Sequence, residues 1–263
     1  MKHERIKVES NIGVLRITFT RPEQLNCWDR KLNAELFAAL ESVMDDESIR
    51  IVVITGTGRA FCTGGDLAEF SRGIDANAAA YISEVVRQSH EIILQIRKAN
   101  KIFIASVNGL AAGSGFNLAL ACDIKIAAKS AKFAQRFVRV GLSPDTGGTY
   151  FLPRMIGITR ATELLLSGEF ISAEVAAELG LMTRVVEDSD LSEATEEWVR
   201  RLSAGAFRAL VHAKRLINQS VLPELAVHLE AERDAMVSTA RTKDFEEGVS
   251  AFLEKRQPRF TGQ

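Results

Sequence analysis

An α/β core followed by a helical C-terminal part is the fold class this sequence predicts, and three observations carry it. Apolar, β-branched runs such as "IVVIT" (51–55) and "IFIASV" (102–107) read as buried strands. Each leads through a glycine-rich loop into a helix-like pattern, and strand–helix alternation of this kind builds a layered α/β core. From Arg160 onward the apolar periodicity is almost wholly helical.

In "GVLRITFT" (13–20), Leu15, Ile17 and Phe19 alternate with Arg16 and Thr18, the period of a half-buried strand. "DRKLNAELFAALESVM" (29–44) places Leu32, Leu36, Leu40 and Val43 on one helical face. The strand at 51–55 enters "GTGRAFCTGGDL" (56–67), and a long helix follows over 78–98 with Ile82, Val85, Val86, Ile93 and Ile96 as its apolar side. The strand at 102–107 meets "NGLAAGSGFNLALACD" (108–123), and "DIKIAA" (123–128) is another strand. In "SAEVAAELG" (172–180), Ser172 reads as a helix cap and Gly180 as a stop. The sequence has no low-complexity segment and no clear repeat.

Composition narrows the function classes. With 263 residues, 46% hydrophobic and 25% charged, the chain can bury a full core. Its 33 Lys and Arg nearly cancel 34 Asp and Glu, so no polycationic field draws it onto nucleic acid. The opening "MKHERIKVES" has no apolar run of the kind a signal peptide needs, and no stretch approaches the ~20 apolar residues that span a membrane. Cys27, Cys62 and Cys122 are too scattered for a disulfide framework or a zinc site. A soluble cytoplasmic protein without metal is the expectation.

Two glycine-rich junctions stand out. "AFCTGGDL" and "NGLAAGSGFNLALA" both follow a buried strand, and both expose backbone N–H groups to close approach. The second opens a helix, whose dipole adds positive potential. One N–H from each loop forms a pair suited to a developing enolate oxygen. Tight packing explains many such loops. A dinucleotide fingerprint fits poorly, because "GLAAGSGFN" lies mid-chain and lacks an acidic partner about 20 residues on. In "GLSPDTGGTYFLPR" (141–154), Asp145 is a lone carboxylate in a tight turn, read either as a helix cap or as a base.

The motifs "RPEQLN", "GTGRAFCTGGDL", "VNGLAAGSGFNLALACDIKIAAKSAKF" and "GLSPDTGGTYFLPRMIG", with the ending "EGVSAFLEKRQPRFTG", resemble the successive signatures of the crotonase, or enoyl-CoA hydratase/isomerase, superfamily. The resemblance spans essentially the whole chain. It implies a crotonase-like spiral of ββα units over 1–200 and a C-terminal helical, trimerising region over 201–263. It also implies homotrimers or dimers of trimers, acyl-CoA substrates with no separate cofactor, and an enolate held by the N–H groups of Gly65 and Ser114. Leu25, Thr63, Asp66, Leu67, Phe116, Asn117, Phe137 and Lys255 fall where the resemblance places substrate contacts, Lys255 near the coenzyme of a neighbouring subunit.

Departures from the family pattern narrow the chemistry. Where hydratases of the family carry two glutamates, this sequence has Asn117, which cannot take up a proton at neutral pH, and Phe137, which cannot polarise water. The acid left in the matching turn is Asp145. The resemblance is nearest to the ring-opening isomerase of the phenylacetyl-CoA pathway, and double-bond migration suits a single carboxylate. Asp145 is therefore read as a base ahead of a cap. His90 in "RQSHEIILQ" keeps open a hydrolytic dehalogenase with Asp145 as nucleophile and His90 as base. A hydratase with atypical residues stays open as well, and so does an RNA-binding or assembly protein that kept the fold. Phe116 and Phe137 read as pocket walls or as core, Cys62 as a space-filling thiol, and Asp66 as the cap of the next helix.

Overall fold

The computed structural model describes residues 3–222 and 224–263, and of residues 72–78 the backbone alone. Ten strands and nine α-helices occur among the described residues. The chain opens with an antiparallel pair, β1 (Ile6–Asn11) and β2 (Val14–Phe19), followed by α1 (Arg30–Glu41). Three ββα turns then repeat. They are β3 (Ile51–Gly56), β4 (Ala60–Cys62) and α2 (Leu67–Lys98); β5 (Ile102–Val107), β6 (Leu110–Ala112) and α3 (Ser114–Ala121); and β7 (Ile124–Ala128), β8 (Lys132–Ala134) and α4 (Gly148–Ser167). After them come β9 (Ile171–Ser172), α5 (Ala173–Glu178), β10 (Arg184–Val186), α6 (Leu191–Ser203), α7 (Phe207–Val221), α8 (Leu225–Thr239) and α9 (Lys243–Leu253).

In each turn the first strand joins one sheet and the second joins the other. The larger sheet runs β1-β2-β3-β5-β7-β10 and the smaller β4-β6-β8-β9. That is the crotonase-like spiral the resemblance implied. The larger sheet is buried on both faces. Ile17, Val52, Ile54 and Phe103 face α1 to α4, whereas Ile51, Val53, Ile102 and Ile104 face α6. Burial on both sides is why β3 and β5 read as unbroken apolar runs rather than alternations.

Most expected elements form close to the expected limits, and Leu32, Leu36, Leu40 and Val43 are all buried. Ser172 accepts the N–H of Val175, and Gly180 takes a left-handed φ of 79° just after α5. One boundary needs correction. The long helix starts at Leu67 rather than at 78, with Asp66 accepting the N–H groups of Ala68 and Glu69 as its cap. β1, β4, β6, β8, β9 and β10 are strands that the sequence pattern does not reveal. Among the described residues, no helix is long and apolar enough to cross a membrane.

The C-terminal helices bear on the site. α8 packs against α2 and α4, and α9 packs against α2 and the short turn at Phe137–Val140. α8 follows Glu224, its cap position, and Pro223, which lies outside the described residues. Its buried positions are Leu225, Leu229, Glu232 and Met236, an i, i+4, i+7, i+11 stripe that includes a carboxylate.

Candidate active site

β4 and β6 are parallel neighbours, with Cys62 opposite Ala111, so the turns that follow them lie side by side. Gly64 has φ +82°, and a Cβ there would come within 3.0 Å of the Ala112 carbonyl and 3.3 Å of the Ser114 nitrogen. Only glycine allows the two loops to touch this closely. Trp28 donates its N–H to the Gly64 carbonyl at 2.7 Å, and Asp66 donates its own to the Trp28 carbonyl at 3.2 Å. These two bonds pin Gly65 from both sides. On the other loop, Gly113 has φ 51° and ψ −129°, and offers no side chain to cap α3. Among the described residues, the N–H groups of Gly65 and Ser114 have no acceptor.

Asp145 faces Ser114. Its carboxylate is 2% exposed and accepts the Ser114 hydroxyl at 3.2 Å and the Thr146 hydroxyl beside it. Burial drives its pKa up to about 7, the hydroxyl of Thr146 opposes that rise, the charge of Glu232 adds to it, and the hydroxyl of Ser114 opposes it. A carboxyl near neutrality both takes and returns a proton. The cap reading does not hold. The Asp145 carboxylate receives no backbone N–H among the described residues; the Gly148 N–H goes to the Asp145 carbonyl at 3.1 Å. Glu232 of α8 takes that place, accepting Gly147 N–H at 2.6 Å, Thr149 N–H at 2.9 Å and the Thr149 hydroxyl.

The rest of the turn is held by side chains from other helices. Asn117 of α3 donates to the Asp145 carbonyl at 2.8 Å and accepts Gln135 Nε2 at 2.7 Å. Thr146, with φ 56°, donates its N–H to His90 Nε2 at 3.4 Å. His90 is 3% exposed, and burial lowers its pKa to about 4, so the ring is neutral with its proton assigned to Nδ1. That nitrogen has no partner among the described residues. His90 thus lines the wall behind the turn, its acceptor lone pair already used.

The expected substrate-contact residues divide. Leu67 packs beside Phe137, Phe70 and Leu142 in an apolar cluster next to the two loops. The Phe137 ring sits against Gly113, where a Cβ would meet it at 3.4 Å. Thr63 gives its hydroxyl to the Leu25 carbonyl at 3.2 Å, and both residues are partly exposed. Three of the expected contact residues have other engagements. Phe116 is core, its ring 5.1 Å from Phe133. Asn117 is fully buried with both amide atoms committed to holding the turn. Asp66 is occupied by its cap and by Arg21 at 3.3 Å. Lys255 is exposed after α9, and no hydrogen bond or ion pair joins it to Gly65, Ser114 or Asp145. The Cys62 thiol is fully buried and pushed up to about 12, which fits a space-filling group.

Sequence reasoning missed Glu232, Phe70 and Thr146. Glu232 was the most findable: a Glu on the buried stripe of an otherwise amphipathic helix breaks the polar-out pattern. Phe70 sits against Gly65, where a Cβ would come within 2.7 Å of its ring.

Comparison with known proteins follows the same lines. The family model described as enoyl-CoA hydratase/isomerase matches residues 9–263. The chain is 41% identical to the 1,2-epoxyphenylacetyl-CoA isomerase of Escherichia coli (strain K12) over 253 residues, covering 95% of this chain and 96% of that one. It is 35% identical to the trans-2-decenoyl-[acyl-carrier-protein] isomerase of Streptococcus mutans, each covered in full. A crystal structure of an enoyl-CoA hydratase from Mycobacterium avium subsp. paratuberculosis K-10 superposes with a TM-score of 0.89 at 30% identity, covering 98% of this chain and 99% of that one.

Proposed function

Because the chain belongs to the enoyl-CoA hydratase/isomerase family, we propose that it shifts a double bond in an acyl-CoA thioester, with Asp145 as the one proton carrier. One observation carries this reading. A buried carboxylate near neutrality touches Ser114, whose own N–H is free and lies beside the turn that holds the free N–H of Gly65. In the reaction, ionised Asp145 takes a proton from the carbon next to the thioester carbonyl. The electron pair moves onto the carbonyl oxygen, and the N–H groups of Gly65 and Ser114 bind the enolate. Asp145 returns the proton two carbons along, the double bond moves, and the carbonyl reforms. Nothing is added or lost, and no metal or redox cofactor is needed; coenzyme A belongs to the substrate.

Among the described residues around Asp145, hydration lacks a second acid free to handle water. The positions where the resemblance would put glutamates hold Asn117, locked in hydrogen bonds, and Phe137, apolar. The remaining nearby carboxylate, Glu232, is engaged by the start of α4. Dehalogenation needs His90 to activate water, and its Nε2 already accepts a backbone N–H. An inert fold-keeper has no use for a buried carboxylate that receives only two hydroxyls, since burying a charge costs several kcal/mol in general. The names of the two isomerase relatives point the same way.

We also place the protein in a homotrimer or dimer of trimers. Leu216, Ile217 and Val221 on α7 are 62%, 57% and 44% exposed, an apolar face that lacks cover in the single chain. Light scattering at micromolar concentration tests this: a trimer or hexamer is expected, and a monomer refutes it. The activity itself is tested by incubating the protein with enoyl-, dienoyl- and aryl-CoA thioesters. Products of unchanged mass with a shifted ultraviolet band support isomerisation, and a product heavier by one water defeats it.

A further inference from the structure

We infer that Glu232 is a positioning residue for this reaction: from α8 it closes the start of α4 in place of Asp145, and so leaves the Asp145 carboxylate free to carry the proton. The inference rests on Asp145 being the base.

A helix start leaves several N–H groups without partners, and the nearest Asp side chain ordinarily takes them. Asp145, two residues before the cap position Gly147, is the nearest Asp in sequence. Its side chain does not take them, because Glu232 reaches in from a helix far along the chain and takes Gly147 N–H and Thr149 N–H, together with the Thr149 hydroxyl. Glu232 is 4% exposed. A side chain that charged is buried only when it is well paired, and three donors at the positive end of a helix supply the pairing. Removing the carboxylate charge of Glu232 has two consequences. In Glu232→Gln one of the N–H groups at 147 and 149 faces an amide NH2 in place of an acceptor, and it competes for the Asp145 carboxylate. The negative charge that helps to raise the Asp145 pKa also goes.

The charged and titratable groups around Asp145 are few. α2 presents His90, neutral at working pH. α3 presents Ser114 and Asn117, and the turn at Phe137–Val140 presents Phe137. On α8, His228 bonds the Thr149 hydroxyl at 2.7 Å and lies 3.6 Å from Glu232. Arg233 pairs with Glu230 at 2.8 Å and Asp234 at 3.3 Å. Glu232 is therefore the charge that bears most directly on Asp145.

The test uses Glu232→Gln and Glu232→Asp in the full-length protein. The Asp145 titration is followed by carboxyl carbon NMR of aspartate-labelled protein, with the signal assigned by its loss in Asp145→Asn. In Glu232→Gln the Asp145 midpoint is expected to move to lower pH. The kcat plateau is expected to fall about tenfold while KM stays within about twofold, the pattern of a weakened base. A merely structural role would lower thermal stability and leave the Asp145 midpoint in place, and an unmoved midpoint overturns the inference. Should the Gln variant fail to fold, Glu232→Asp decides. Its shorter arm keeps the charge but leaves part of the helix start open, so kcat falls at constant KM, and an unaltered kcat overturns the inference. The titration is read without turnover. An active Asp145→Asn enzyme would therefore defeat the proton-carrier reading separately from this one.

Discussion

The starts of α3 and α4 meet at Asp145 and are treated in opposite ways. Both follow a glycine with positive φ, 51° at Gly113 and 85° at Gly147, and neither glycine can cap its helix. At α3 the first N–H, that of Ser114, stays open. At α4 the N–H groups of Gly147 and Thr149 are closed by Glu232. An open helix start attracts whatever negative charge comes near. On the proposed mechanism, leaving one open and closing the other would direct the substrate's oxygen to α3 and keep the base from being drawn into α4. On that mechanism the same orphan donors would serve binding in one place and suppress catalysis in the other.

The largest break in this contrast is Asp145→Asn. Asn keeps the size and abolishes basicity, so folding is expected to survive while kcat falls about 10²–10⁴-fold in a steady-state assay. Ser114→Pro attacks the open side. Proline is compatible with a first helical position, and it removes one N–H from the oxyanion pair. Turnover is expected to fall about 10²–10³-fold, whereas the control Ser114→Ala keeps the N–H and loses far less. Full activity in the proline variant would mean that the open N–H binds nothing. The smallest effect belongs to His90→Gln, whose amide oxygen can still accept the Thr146 N–H. Its activity is expected to remain within about threefold of wild type. Accumulation of an aryl ester on this variant after exposure to a halobenzoyl-CoA would instead favour dehalogenation.

The raised Asp145 pKa sharpens the contrast through pH. As a base, Asp145 works when ionised, so kcat is expected to rise with pH through about 7. Stability runs the other way. The folded protein binds a proton at Asp145 that the unfolded chain, titrating at an ordinary value near 3.8, has released. This contribution is present at acid pH and is lost as pH rises through about 7. Asp145→Asn is therefore expected to be more stable than wild type at about pH 8.5, by up to a few kcal/mol, with the gap closing towards about pH 5.5. Denaturant melts of both proteins at the two pH values check it. His90, held down to about 4, destabilises as pH falls below 6.5, but it is present in both proteins and drops out of the difference.

Much of the open side was legible in the sequence. Glycine loops after apolar runs marked β4–Gly65 and β6–Ser114, because close backbone contact demands glycine whatever surrounds it. The closed side was not. Glu232 lies 85 positions from Gly147, and charges on an amphipathic helix usually point to water. Its place on the Leu225, Leu229, Met236 stripe was the one signal that could have found it. Among the elements, β3 and β5 declared themselves by burial on both faces. β4, β6 and β8 have three residues each, too few for a period to show, and β1 is mostly exposed. The early start of α2 was hidden by Gly73 and Asn77, poor helix formers that break the sequence pattern there.

The most direct measurement is the mass and label position of the product that wild-type enzyme forms from a 3-enoyl-CoA in deuterated water. A single buried carboxylate that shuttles a proton across an enolate gives a 2-enoyl-CoA of unchanged composition, with any deuterium confined to the carbons between which the double bond moved. A product heavier by one water, formed as fast by Asp145→Asn as by the wild type, would contradict the central claim.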